Sequence, residues 1–335
     1  MTSERTVNDA DTSDPELRLR PGQVIADLAD PFIEALLEPH FSDIDTVASF
    51  LGIDEGYLSV QVRLLLPQYS DEELRTIGGL QAMREVLGLL RSELQGFESH
   101  YKRHRQLNRI DELSPDLRLK GRYSNLRLVS PTGEELWGVT FIDTDSDYGN
   151  EIQNEIHYIH QARDDTSHHL GLALENVKFP LCYCAISPCD RRYQRDALSQ
   201  WVGEEIELSE IAVLTRAYGY SPLPKNMMSK LFDLATKRLA ESTDFKYLIT
   251  ALNPFLGFKG SIFLGASFVP FARSPLAYRY TNEGLYANRR RGEAEKDQRY
   301  NTPPIVWLCR HVREIPDVQW SGEIVDISTE MYENG

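Results

Sequence analysis

This chain of 335 residues predicts an α/β (α+β) protein: a mixed central sheet flanked by helices, with a helical extension at the N-terminus. Three observations carry that expectation. Apolar residues recur at helical spacing between about residues 21 and 110. From about residue 115 the pattern changes to short apolar runs separated by turn residues. Residues 206–252 then read as strand, loop, amphipathic helix and strand. The length can bury a large core and leaves room for two domains.

Taken in order, residues 1–20 are polar and acidic and are expected to form a disordered tail. Residues 21–112 form the predicted helical domain, and 113–330 the domain that holds the sheet. Ser70 followed by Glu73 is a capping-box pair that starts one of the helices. Residues 45–65 match a helix-turn-helix spacing around Gly52, but its second helix carries Asp54 and Glu55 and only Arg63 as a cation. That charge suits helix packing better than a nucleic-acid backbone. Residues 117–143 hold two alternating runs around the turn Ser130-Pro131-Thr132-Gly133, followed by a helix over 147–163. A hairpin over 168–189, a strand over 206–214, a helix over 225–241 and a strand over 247–252 come next. The last two strands are expected in 268–282 and 303–312.

The formal net charge of −15 argues against general affinity for nucleic acid, but the charge is unevenly spread. Residues 216–300 carry 14 Lys and Arg against 7 Asp and Glu, and residues 96–130 carry 8 against 4. The cations of 101–109, among them Lys102, Arg103 and Arg105, and the run Arg289-Arg290-Arg291 are therefore the candidate RNA-binding residues. A solvated helix face and a basic loop are the plainer alternatives. No apolar run approaches the roughly 18 residues needed to span a bilayer, and the first residues lack the apolar core of a signal peptide. Cys182, Cys184, Cys189 and Cys309 lack metal-site spacing and read as buried, reduced thiols, so a cytoplasmic location is expected and no metal.

The unit from Ile206 to Phe268 carries the chemistry. Its loop reads Arg216-x-x-Gly219-Tyr220, then Pro222, Pro224, Lys225 and Asn226 with Ser229 beyond; after the second strand come Asn253, Lys259 and Gly260-Ser261-Ile262-Phe263 through Gly265-Ala266-Ser267-Phe268. In this order the segment resembles the GNAT superfamily of acyltransferases. The details resemble a divergent branch that includes the Mom DNA-modification protein of phage Mu, and the tRNA-dependent aminoacyltransferases of natural-product pathways. The resemblance covers roughly 206–268 and implies a GNAT-like sheet whose two central parallel strands splay around the donor. Val213, Leu214, Arg216, Gly219, Tyr220, Pro224, Lys225, Asn226, Ser229 and Lys259 are then the implied donor-binding residues. The donor's phosphates are implied at the N-terminus of the following helix, where free N–H groups and the helix dipole attract anions. Backbone N–H groups of 211–214 would polarise the donor carbonyl. The chain departs from the family where many members place a tyrosine as general acid: here stands Phe263, which has no proton to give.

Glu207 and Glu210, read as lying on the central strand with opposite orientations, are candidates for the base that deprotonates an acceptor. Asn253, His157, His160, Tyr278 and Tyr280 are further candidates. The expected activity is transfer of an aminoacyl group from an aminoacyl-tRNA to an amine or hydroxyl of a small molecule. Acyl-CoA is the alternative donor, and Mom-like base modification or plain nucleic-acid binding the remaining ones. No permanently bound cofactor is expected; tRNA and a small-molecule acceptor are the expected partners, without a membrane, and a homodimer is possible.

Overall fold

The computed structural model describes residues 48–49, 54–65, 96–275, 304–313 and 323–328. The expected tail, the Gly52 turn, the Ser70–Glu73 pair, Tyr278, Tyr280 and Arg289 to Arg291 lie outside the described residues. Six helices are named here: α1 Glu55–Leu65, α2 over 96–108, α3 Ser146–Glu151, α4 Arg192–Val202, α5 Met227–Ser242 and α6 Ser261–Gly265. The strands are β1 Arg118–Arg122, β2 Asn125–Val129, β3 Glu135–Asp143, β4 His168–Leu174 and β5 Cys182–Pro188, then β6 Ile211–Gly219, β7 Tyr247–Leu252, β8 Val269–Ser274, β9 Ile305–His311 and β10 Val325–Asp326. They form one sheet in the order β1-β2-β3-β4-β5-β6-β7-β9-β8-β10.

The β6–β7 pair at the centre is parallel, and so needs a crossover, which α5 supplies. β10 also runs parallel to β8, while the other pairs are antiparallel. The sheet is mixed with a parallel central pair, as the sequence resemblance implies, and β9 is inserted between β7 and β8.

Period-two alternation divides the central strands between two cores. Ala212, Leu214, Leu248, Val306 and Leu308 face α5, which buries Leu231, Phe232, Leu234, Ala235 and Leu239 against them. Ile211, Val213, Ile249, Trp307 and Cys309 face α4, which contributes Tyr193, Ala197, Leu198, Trp201 and Val202. The described N-terminal helices join the first of these cores through Tyr57, Leu58, Val62, Phe97 and Tyr101. Arg63, the one cation of the helix-turn-helix match, is 3% exposed and donates Nη1 to the Phe255 carbonyl at 3.2 Å. α1 thus spends its surface on packing and has no free face for a DNA groove.

Four boundaries differ from the sequence expectation. The run before Ser130 splits into the tight hairpin β1–β2, so residues 118–143 hold three strands. The helix expected over 147–163 ends at Ile156 after a single wide turn, Ile152–Ile156, and His157 is already extended. The central strand runs over Ile211–Gly219 instead of 206–214, because Glu207 and Glu210 close a reciprocal capping box around the 3-10 turn Leu208–Glu210. α4 was not anticipated: its five buried apolar residues are diluted by Arg192, Gln194, Arg195, Asp196 and Gln200. The four cysteines are free and buried, and burial pushes the Cys189 thiol up to about 11. Among the described residues no helix is long and apolar enough to cross a membrane.

Leu248 is fully buried between β6 and β9. Leu248→Ala should cost about 2–5 kcal/mol of unfolding free energy in urea melts. Ile262→Ala, at a side chain 45% exposed, should stay within about 0.5 kcal/mol of the parent.

Candidate functional site

β6 and β7 are paired from Ile211↔Tyr247 to Leu214↔Thr250 and no further. Beyond that point β6 continues to Gly219, while β7 stops at Leu252 and the chain turns away through Pro254–Leu256. The β5–β6 register passes from Ile186↔Leu214 to Ala185↔Arg216, which leaves Thr215 as the extra residue of a bulge. A bulge bends and twists its strand, and here it lies where the two parallel strands part. The gap between them is a cavity of about 440 Å³. Its walls are β6 from Leu214 to Gly219, β7 from Thr250 to Asn253, Met228 and Phe232 of α5, and residues 258–263. α1 and the 157–159 turn close the remaining side.

This placement corrects the expected source of carbonyl-polarising N–H groups. Residues 211–214 are laddered to a strand on both sides, so their backbone groups are committed. Among the described residues, the edge with no strand opposite begins after Leu214 and runs over residues 215–219. Leu214 lines the cavity; Val213 points into the opposite core. Arg216 lies on the strand, not in the loop as expected: it is 4% exposed, lines the cavity, and donates to the carbonyls of Thr215 at 2.8 Å and Gln161 at 3.0 Å.

The loop itself, Tyr220–Asn226, is poor in free donors. Pro222 and Pro224 have no N–H. The Tyr220 N–H is taken by the Leu181 carbonyl at 3.1 Å and the Lys225 N–H by the Leu117 carbonyl at 2.9 Å. Tyr220 is fully buried with its hydroxyl 2.6 Å from His104 Nδ1, and Pro224 is buried too. Asn226, in the left-handed conformation at φ 70°, opens α5. A second hollow of about 360 Å³ faces that first turn, lined by Asn226, Ser229, Lys120, Lys230 and Arg310. Lys230 and Arg310 there both pair with Asp233.

Glu207 and Glu210 stand at the start of β6, away from the end where the strands part. Neither lines the cavity. Glu210 is paired with Lys246, and despite some burial that bond and the Glu207 N–H hold its carboxyl below the usual range. Asn253 lies on the cavity wall, where its Oδ1 caps Phe255 N–H at 3.1 Å. Lys259 is exposed at the rim. Phe263 stacks on Phe232 with centroids 5.0 Å apart, so it is part of an apolar wall.

The side formed by α1 carries polar groups that sequence reading missed. Asp54 caps α1 through its Oδ1 and the Tyr57 N–H at 2.8 Å, and its side chain lines the cavity. Burial raises its carboxyl above the usual range, against the lowering effect of the Tyr57 N–H and the Tyr101 hydroxyl. Tyr57 also lines the cavity, and its hydroxyl meets His160 Nε2. The Asn154 carbonyl, 2.9 Å from His160 Nδ1, can only accept. That fixes the proton on Nδ1 and leaves Nε2 to accept from Tyr57. His157, 4% exposed, lines the cavity and accepts from the Ile159 N–H. An N-cap reading could have found Asp54, but nothing local in the sequence aims that cap at a strand 160 residues on.

The cations of α2 are already engaged. Lys102 pairs with Glu98, Arg103 with Glu151, and Arg105 with Asp111, the Tyr101 hydroxyl and the Ser221 carbonyl.

No family profile and no curated protein matches the chain. Solved structures similar to it include two candidate acetyltransferases. One, a candidate phosphinothricin N-acetyltransferase, has a TM-score of 0.30 and 14% identity over 52% of this chain and 99% of its own. The other, a candidate acetyltransferase from Sphaerobacter thermophilus, has a TM-score of 0.28 and 10% identity over 52% and 93%. Likenesses this remote carry no argument about donor or acceptor.

Because folding raises the Asp54 carboxyl, its contribution to stability is fully present below about pH 3.8, the ordinary aspartate value, and is lost as pH rises through the folded value. Asparagine caps a helix as well as aspartate does. Asp54→Asn should therefore melt above the parent at neutral pH, with the gap closing in acid, as thermal melts between pH 3 and 8 would report.

Proposed function

We propose that this protein transfers an acyl group from an activated ester or thioester to an amine inside the cavity where β6 and β7 part. The observation that carries this is the parting itself, which sets the 215–219 edge and the tyrosine of a tyrosine–histidine pair on one cavity. The donor carbonyl lies along residues 215–219, whose backbone N–H groups polarise it. The acceptor amine gives a proton to the Tyr57 hydroxyl as Tyr57 gives its own to His160 Nε2, and the amine nitrogen bonds to the carbonyl carbon. The bond to the leaving sulfur or oxygen then breaks, and the proton returns through Tyr57 to that atom. The relay ends as it began, and the missing proton donor at Phe263 is not needed.

Aminoacyl-tRNA is the first reading for the donor, with a small-molecule amine as acceptor. It is supported by the loop, where prolines and committed N–H groups leave Ser221, Leu223 and Asn226 as the remaining backbone donors for a diphosphate. The ion pairs along α2 weigh against RNA contact there, and leave Arg289 to Arg291 as the cations the reading depends on. Acyl-CoA is the second reading, supported by the hollow at the first turn of α5 with its lysines and arginine. Purified protein given an amine with either donor separates the two. The first reading predicts an aminoacyl amide that ribonuclease abolishes; the second predicts an amide formed from acyl-CoA alone and insensitive to ribonuclease.

Tyr57→Phe and His160→Gln should each lower turnover by about 10²–10⁴, the range for a lost general base. The double variant should lose little more than the worse single, because the two act as one unit. Initial rates with saturating donor check both statements, and independent, multiplicative losses would remove the relay from the mechanism.

A further inference from the structure

We propose that Asp54 and Tyr218 form an ammonium-binding site on the cavity wall, with Tyr101 behind Asp54, and that its ligand is a protonated primary amine. It rests on the acyl-transfer reading for its role, since the bound ammonium would hold the acceptor or the donor beside Tyr57. Its binding chemistry stands on the residues alone.

Asp54 is a half-buried carboxylate on the wall of a cavity, and desolvation raises it above the usual range. Oδ1 accepts the Tyr57 N–H at 2.8 Å, the Gly56 N–H also acts on the carboxyl, and the Tyr101 hydroxyl lies at a long 3.4 Å from Oδ2. Among the described residues no Lys, Arg or His is in ion-pair contact with it. Arg105 is the cation that acts on it, but that guanidinium is held by Asp111, by the Tyr101 hydroxyl at 3.0 Å and by the Ser221 carbonyl. A desolvated carboxylate with no contacting cation is costly to keep. A ligand cation would relieve that cost.

Tyr218 is the second, independent observation. Its side chain lines the same cavity, and its hydroxyl is shut off from solvent with no hydrogen-bond partner. Burial, and after it the charge of Asp54, keep this phenol protonated. A neutral phenol oxygen accepts an N–H. An ammonium offers three N–H donors, enough for Asp54 Oδ2 and the Tyr218 hydroxyl, and Tyr57 on the same wall brings an aromatic ring of the kind cations favour. A carboxylate or phosphate ligand would instead meet Asp54 with like charge.

The ammonium can belong to the acceptor amine or to the α-amino group of an aminoacyl donor. Calorimetric titration of the full chain with n-butylamine and with alanine methyl ester tests both. n-Butanol and N-acetylalanine methyl ester serve as their uncharged counterparts. At least one amine should bind while its counterpart does not, and Asp54→Asn should weaken it roughly tenfold or more, as expected for a lost charge-assisted hydrogen bond. Tyr218→Phe should weaken the same ligand without lowering the melting temperature, because the hydroxyl it removes has no partner to lose. Asp54-dependent binding of butylamine identifies the acceptor as the source, and of the ester, the donor; dependence of both identifies a site for the group itself. If neither amine binds, if the neutral counterparts bind equally, or if Asp54→Asn binds as the parent does, the proposal is overturned. Because binding is read without turnover, it can fail while amide formation persists.

Discussion

The constraint on which the rest depends is that two parallel strands at the centre of the sheet stay paired for four residues and then separate. A parallel pair buried between two helical layers would ordinarily satisfy its backbone groups along its whole length. Here the bulge at Thr215 and the early end of β7 leave one edge of β6 with no strand opposite among the described residues, just where Asp54 and Tyr57 of the N-terminal region reach the sheet. A strand edge without a partner is an unmet demand for hydrogen bonds, and a substrate carbonyl can meet it. The two cores above and below the sheet, with α5 on one face and α4 on the other, hold that gap open.

The same economy governs the polar groups on the cavity wall. Asp54 is raised by burial, Arg216 is sequestered with carbonyls, and the Tyr218 hydroxyl has no partner. Each costs stability in the empty protein. Their convergence on one cavity, in a chain whose four cysteines and most of whose core are conventionally buried, marks that cavity as the place where stability is given up for binding.

How much of this was legible in the sequence depends on how local the signal is. The alternation in β4 to β9 and the helical face of α5 depend only on residues near one another, and both could be read directly. The central strand was misplaced by five residues because Ile206 and Leu208 mimic strand alternation, while the capping box of Glu207 and Glu210 bends the chain into a turn first. That shift also moved two glutamates from candidate bases to a structural turn. His160 was a candidate from sequence, but its partner Tyr57 lies 103 residues earlier, and no local pattern joins them. The α2 cations looked like a nucleic-acid face because their acidic partners, Glu151 above all, come from distant segments.

The measurement that tests the account most directly is amide formation by a variant in which the gap is filled. Ala251 is exposed on β7 yet lines the cavity, so Ala251→Trp places an indole between the strands without displacing the core. With an amine and each donor in turn, mass spectrometry should find the amide with the parent protein and none with the variant, while thermal melting shows the variant folded. Transfer at the parent rate by the folded variant would contradict the account and place the chemistry elsewhere.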